Sequence, residues 1–146
     1  MSGPDVSAHR ISVVIPVYQG EHTLRSVIDE LEPLIGGFHT PDGADARLEE
    51  VILAYDHGPD ASDRVIRELV AEHSWIRPVW LSRNFGQHAA TLAGIASSGG
   101  EWIVTLDEDG QHDPAYIAQM LDIALRQGAD VVYAHPPNPP PHGVMR

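Results

Sequence analysis

Apolar positions along the chain follow two periods that alternate. Ile11-Ser-Val-Val-Ile-Pro-Val-Tyr18 is β-branched and nearly continuous in apolar character, as a strand buried on both faces requires. Leu24, Val27, Ile28, Leu31 and Ile35 then recur at helical spacing, and a Gly- and Asp-rich stretch from Gly36 to about Arg47 reads as a flexible inserted loop. Val51-Ile-Leu-Ala-Tyr55 predicts a second strand. Ser62 is the expected N-cap of a helix carrying Val65, Ile66, Leu69 and Val70 on one face. Val79-Trp-Leu81 predicts a short third strand, and a small-residue helix from Gln87 to Ser97 ends at Gly99-Gly100. Trp102–Leu106 is the fourth strand. Asp113 and Pro114 open a helix reaching Arg126, and Asp130–Ala134 is a fifth strand.

Strands separated by helices point to an α/β domain with a mostly parallel sheet and flanking helices. Residues 1–10 form an N-terminal extension and 11–135 the domain. Residues 136–146 form a tail whose five prolines exclude a central strand and favour an extended conformation.

Ligands of an open parallel sheet bind beyond the carboxyl ends of its strands. The residues that follow each predicted strand are polar in four successive loops. They are Tyr18, Gln19 and Glu21; Asp56, His57, Asp60 and Ser62; Arg83, Asn84, Phe85 and Gln87; and Asp107, Glu108, Asp109 and Gln111. Asp107 and Asp109, two apart at a strand end, can face one ligand while Glu108 faces elsewhere. A carboxylate pair suits a hard divalent cation able to bridge a diphosphate. Asp60 and Ser62 read more simply as helix-capping residues.

Composition sharpens this picture by exclusion. The formal net charge of −12 repels nucleic acid and anionic lipid, so a phosphorylated substrate would need a cation between it and the protein. All nine basic residues are arginine, which removes the lysine that a P-loop or a pyridoxal enzyme requires. The same absence, with no acidic pair after the first strand, argues against a phosphoreceiver-like domain. There is no cysteine, and the nine histidines lack zinc-ligand spacing. No leader or bilayer-length apolar run is recognisable, so the expected location is cytoplasmic.

Val13-Val-Ile-Pro-Val-Tyr18, the Asp56 turn, Leu81-Ser-Arg-Asn-Phe-Gly-Gln-His88 and Asp107-Glu-Asp109 stand in the order and spacing of family 2 glycosyltransferases. Within them, Arg83-Asn-Phe-Gly-Gln-His88 followed by Asp-x-Asp-x-Gln resembles the polyprenyl-phosphate glycosyltransferases, of the dolichyl-phosphate and undecaprenyl-phosphate types. The resemblance spans residues 11–135 and implies the Rossmann-like, nucleotide-sugar-binding half of a GT-A fold. It implies metal-assisted, inverting transfer of a sugar from a nucleoside diphosphate sugar, with polyprenyl phosphate at the inner membrane surface as acceptor. Pro16, Val17, Tyr18, Glu21, Asp56, Arg83, Asp107 and Glu108 would contact the nucleotide sugar, with Asp56 on the base and Arg83 on the phosphates. Asp107, Asp109 and Gln111 would hold Mg2+ or Mn2+. No catalytic base is assigned.

The sequence also departs from the family pattern. Tyr55 replaces the first acid of an Asp-Asp-Gly-Ser turn, His57-Gly58-Pro59 replaces its Gly-Ser, and Gly110 replaces a leucine after Asp-x-Asp. The acceptor-side half is expected beyond residue 146. A non-catalytic nucleotide-sugar-binding fragment or partner subunit is therefore the alternative reading. An open edge at the last strand would favour oligomers.

Overall fold

The computed structural model describes residues 8–109, 113 and 115–128. The expected fifth strand, Gln111 and the proline-rich tail lie outside the described residues. Strand β1 (His9–Val17) is the centre of the sheet. It pairs in parallel with β3 (Asp45–Tyr55) on one side and with β5 (Trp102–Thr105) on the other. The outer edge of β3 carries two short strands end to end. β2 (Phe38–His39) runs antiparallel beside Asp45–Ala46, and β4 (Ile76–Trp80) runs parallel beside Val51–Tyr55. The sheet is mixed and mostly parallel, as the alternation of periods predicts.

Burial of both faces explains why β1 carries no polar alternation. Ile11, Val13, Ile15 and Val17 join Val51, Leu53 and Tyr55 of β3 in the main core. Against that face pack three helices. α1 (Leu24–Leu31) contributes Leu24, Val27, Ile28 and Leu31; α2 (Ser62–Glu72) contributes Val65, Ile66 and Leu69; and α4 (Ala115–Gln127) contributes Ile117 and Leu121. The opposite face, with Val14, Ile52 and Ala54, is met by α3 (Gln87–Ser97). A Cβ at Gly94 would stand 2.4 Å from Val14 Cγ1, so the small-residue character of α3 is what lets it close on the sheet.

Four expectations are corrected. The third strand, expected at Val79–Leu81, is Ile76–Trp80. The stretch read as a flexible loop, Gly36 to Arg47, holds β2 and the start of an 11-residue β3. The first helix ends at Leu31, and a single 3-10 turn, Glu32–Leu34, replaces its last turn because Pro33 removes a helical N–H. Ser62 is the first helical residue, with Ala61 in the N-cap position, and its hydroxyl leaves the helix to bond elsewhere. Asp113 behaves as expected, its Oδ1 accepting the Ala115 N–H at 2.9 Å.

Near the amino ends of the strands, Glu50 is only 8% exposed. Its carboxylate accepts the Ser12 hydroxyl at 2.7 Å, the Gly99 N–H at 2.7 Å and the Arg77 guanidinium at 2.6 Å, tying α3's exit to β1 and β4. Burial pushes this carboxyl up, but those three donors outweigh it and hold the group below the usual glutamate range. A depressed carboxyl contributes stability above its unfolded pKa, and that contribution is lost as pH falls through the folded value. Glu50→Gln is therefore expected to lower stability by roughly 1–3 kcal/mol at neutral pH. In thermal melts across pH, the gap from wild type should close as the pH drops through and below the ordinary carboxylate range.

Candidate functional site

At the carboxyl ends of β1, β3, β4 and β5 the strand ladders stop together. Asp56 N still donates to Val17 O, Leu81 N to Tyr55 O and Leu106 N to Val14 O, at 2.9, 3.2 and 3.0 Å. Beyond these bonds the main chain leaves the sheet in four loops, and its N–H groups need new acceptors. Side chains from neighbouring loops supply them.

Asp56, 3% exposed, accepts the N–H groups of Phe85 and Gly86 on Oδ1 at 2.9 and 3.2 Å, fixing the loop that carries Arg83 and Asn84. His57 follows in a left-handed conformation, φ +42°, a region where glycine is usual and where the family pattern has one. Its ring packs on Tyr55 with centroids 4.9 Å apart and donates from Nε2 to the Leu81 carbonyl. Those contacts hold a strained histidine in a glycine position. The next residue cannot carry a side chain: a Cβ at Gly58 would lie 1.6 Å from Tyr18 O.

The loop after β1 is clamped from two sides. Gly20 N donates to Ser62 Oγ at 2.8 Å and Glu21 N to Asp60 Oδ2 at 3.1 Å, while Ala61 N returns a bond to Glu21 Oε1 at 3.0 Å. Asp60 Oδ1 also takes the Ser62 N–H and hydroxyl. Burial raises the Asp60 carboxyl, but its bonds from Ser62 and from Glu21 N–H outweigh this and hold it below the usual aspartate range. From the other side, Glu108 accepts the Tyr18 and Gln19 N–H groups. Burial raises the Glu108 carboxyl above the ordinary value despite those two donors, with Asp60 and Asp109 adding to the rise.

The expected site residues thus reach one edge but differ in what they present. Tyr18 is exposed, whereas Pro16 and Val17 are buried, Val17 within the core. Glu21 and Glu108 face main-chain N–H groups. Arg83 is exposed, its guanidinium 4.8 Å from the ring of Phe85. The strand ends at Thr105, so the Asp-Glu-Asp element is a turn, with Asp107 half-buried and Asp109 exposed. Among the described residues no group of three His, Asp or Glu side chains gathers as a metal cluster. Nor is any helix there long and apolar enough to cross a membrane.

The family model for glycosyl transferase family 2 matches residues 12–143. The chain belongs to that family. It is 37% identical over 123 residues to the undecaprenyl-phosphate 4-deoxy-4-formamido-L-arabinose transferase of Aeromonas hydrophila, covering 84% of this chain and 35% of that protein. The transferase of the same name from Klebsiella pneumoniae is also 37% identical, over 124 residues and 36% of its length. The chain therefore spans about a third of the curated relatives it matches. Among solved structures, S. aureus TarS 1-349 in complex with UDP-GlcNAc superposes with a TM-score of 0.67 at 16% identity, over 94% of this chain and 37% of TarS. Glucosyl-3-phosphoglycerate synthase from Mycobacterium tuberculosis, in complex with Mn2+, UDP and phosphoglyceric acid, gives 0.55 at 25% identity, over 80% and 39%. The fold is of the GT-A glycosyltransferase type.

For a family 2 member, the sequence pattern locates the loops but not their mutual bonding. The reciprocal Glu21/Asp60 pair, the Ser62 bond to Gly20 and the reach of Glu108 were missed, because each partner is a backbone N–H with no sequence signature. Gly58→Ala tests how tightly these loops are set. The added Cβ has no room beside Tyr18 O, so the variant should lose about 1–3 kcal/mol of stability, read as a lowered melting temperature.

Proposed function

We propose that this chain forms the donor-binding part of a glycosyltransferase that moves a sugar from a nucleoside diphosphate sugar to polyprenyl phosphate, with inversion at the anomeric carbon. The supporting observation is the convergence of four polar loops on one sheet edge, in a family 2 domain whose curated relatives are named as undecaprenyl-phosphate sugar transferases. The alternative, a non-catalytic nucleotide-sugar-binding fragment or partner subunit, is not favoured by any observation here.

In this reading Tyr18 and the main chain of Pro16–Val17 border the nucleotide, Asp56 accepts a ring N–H of the base, and Glu21 braces the pocket wall. Arg83, an exposed cation of the edge, would face the diphosphate. The donor set at the end of β5, the Asp107 and Asp109 carboxylates, has the hard oxygen chemistry that fits Mg2+ or Mn2+; Gln111, the third ligand that the family resemblance implies, lies outside the described residues. A divalent ion held there would neutralise charge on the departing diphosphate. An oxygen of the acceptor phosphate attacks the anomeric carbon, and the bond to the nucleoside diphosphate breaks with its electron pair staying on the diphosphate. A phosphate monoester, with a second pKa of about 6, is already largely deprotonated at neutral pH. No side chain is then needed as general base. In this reading a polyprenyl-phosphate acceptor would bring a cytoplasmic domain to the inner face of the membrane as a peripheral protein.

Thermal-shift titration tests the donor site. UDP or GDP should stabilise the chain in Mn2+ or Mg2+, by about 2.7 kcal/mol at a hundredfold excess over Kd. The effect should disappear in EDTA and in Asp109→Asn. An equal shift with and without the metal would exclude the reading.

A further inference from the structure

Glu108 is the one acid of the Asp-Glu-Asp turn that the proposed chemistry leaves unused. Its side chain reaches back across the sheet edge to the loop after β1. Oε2 accepts the Tyr18 N–H at 2.6 Å and Oε1 the Gln19 N–H at 2.8 Å, while the carbonyl of the same residue accepts the Thr23 hydroxyl at 2.6 Å. Three bonds therefore hold both ends of segment 18–23 to a single residue. A Cβ on Gly20 would stand 3.4 Å from Glu108 Oε2, so the loop lies directly against the carboxylate. At 2.6 and 2.8 Å the two N–H bonds lie at the short end of the usual range.

A third carboxylate between Asp107 and Asp109 adds like-charge repulsion to a chain whose net charge is already −12. Cation binding by the flanking pair does not need it. What Glu108 takes up instead is the main chain of Tyr18 and Gln19, which has passed the end of the β1 ladder. Ser62 and Asp60 hold the middle of the same segment from the opposite side. Glu108 thus links the segment proposed to border the nucleotide to the turn bearing the Asp107 and Asp109 carboxylates.

We infer that Glu108 is a positioning residue that sets the first-strand loop against the Asp107–Asp109 turn, so that nucleoside and diphosphate are gripped in one register. It acts through backbone N–H groups and makes no contact with the ligand, in contrast to the direct contact expected from the sequence. The inference rests on the donor-site reading above.

The test compares wild type, Glu108→Gln, Glu108→Ala and Glu50→Gln as full chains. UDP and GDP are titrated calorimetrically in saturating Mn2+, and amide exchange is followed at Tyr18 and Gln19. Glutamine keeps one acceptor and turns an amide donor toward the other N–H, so its effect should be intermediate. Alanine should weaken nucleotide binding tenfold or more. Both variants should exchange faster at Tyr18 and Gln19. Glu50→Gln, at the other end of the strands, should lower the melting temperature and leave nucleotide affinity unchanged. Wild-type affinity in Glu108→Ala would overturn the inference, as would a loss in Glu50→Gln equal to that in Glu108→Ala. A wild-type chain that binds neither nucleotide would overturn the donor-site reading itself, and the inference with it.

Discussion

Main-chain N–H groups that run past the end of a strand lose their ladder partners, and at the carboxyl edge of this sheet four loops do so together. The solution is to let acidic and hydroxyl side chains of one loop bond the backbone of another. Asp56 serves Phe85 and Gly86, Asp60 serves Glu21 and Ser62, Glu21 serves Ala61, and Glu108 serves Tyr18 and Gln19. Four loops far apart in sequence are thereby fixed in relation to one another before any ligand arrives. Preorganisation of this kind lowers the ordering cost of binding. It also gives several of the acidic residues a local purpose: on this edge, negative charge is matched to N–H dipoles.

The two ends of the strands use the same chemistry differently. At the amino ends, Glu50 draws Ser12, Gly99 and Arg77 together and joins β1, β3, β4 and α3. At the carboxyl ends, bonding falls on irregular chain, and Gly58 and His57 accept close approach or a left-handed backbone to permit it. Among the described residues the one non-glycine in the left-handed region, His57, stands beside the loops expected to meet the nucleotide.

Most of the sheet and its helices were legible in the sequence, because β1, β3 and the faces of α1 and α2 carry unbroken apolar periods. The first half of β3 was not. Ala46, Leu48 and Glu50 point inward in strand alternation, but a buried glutamate reads as a surface residue when its three donors are unknown. Flanking Gly and Asp then made the segment resemble a loop. At the site, the spacing of Asp56, Arg83 and Asp107–Asp109 identified the edge. The partners of Glu21, Asp60, Ser62 and Glu108 stayed hidden, since their identity depends on which backbone segment the fold brings near. Ser62 shows the difficulty: its type suggests a cap for its own helix, yet its hydroxyl serves a glycine 42 residues earlier.

The central position of β1 also sets an order of events during synthesis. Of these three strands His9–Val17 leaves the ribosome first, yet its two neighbours are Ala46–Tyr55 and Trp102–Thr105. Such non-local parallel pairing is slow, and incomplete sheets expose apolar chain to other molecules. Until Leu106 has emerged and bonded Val14, one side of the buried strand β1 lacks this partner. The nascent chain's period of greatest exposure to chaperones and to aggregation therefore falls between the appearance of β1 and that of β5.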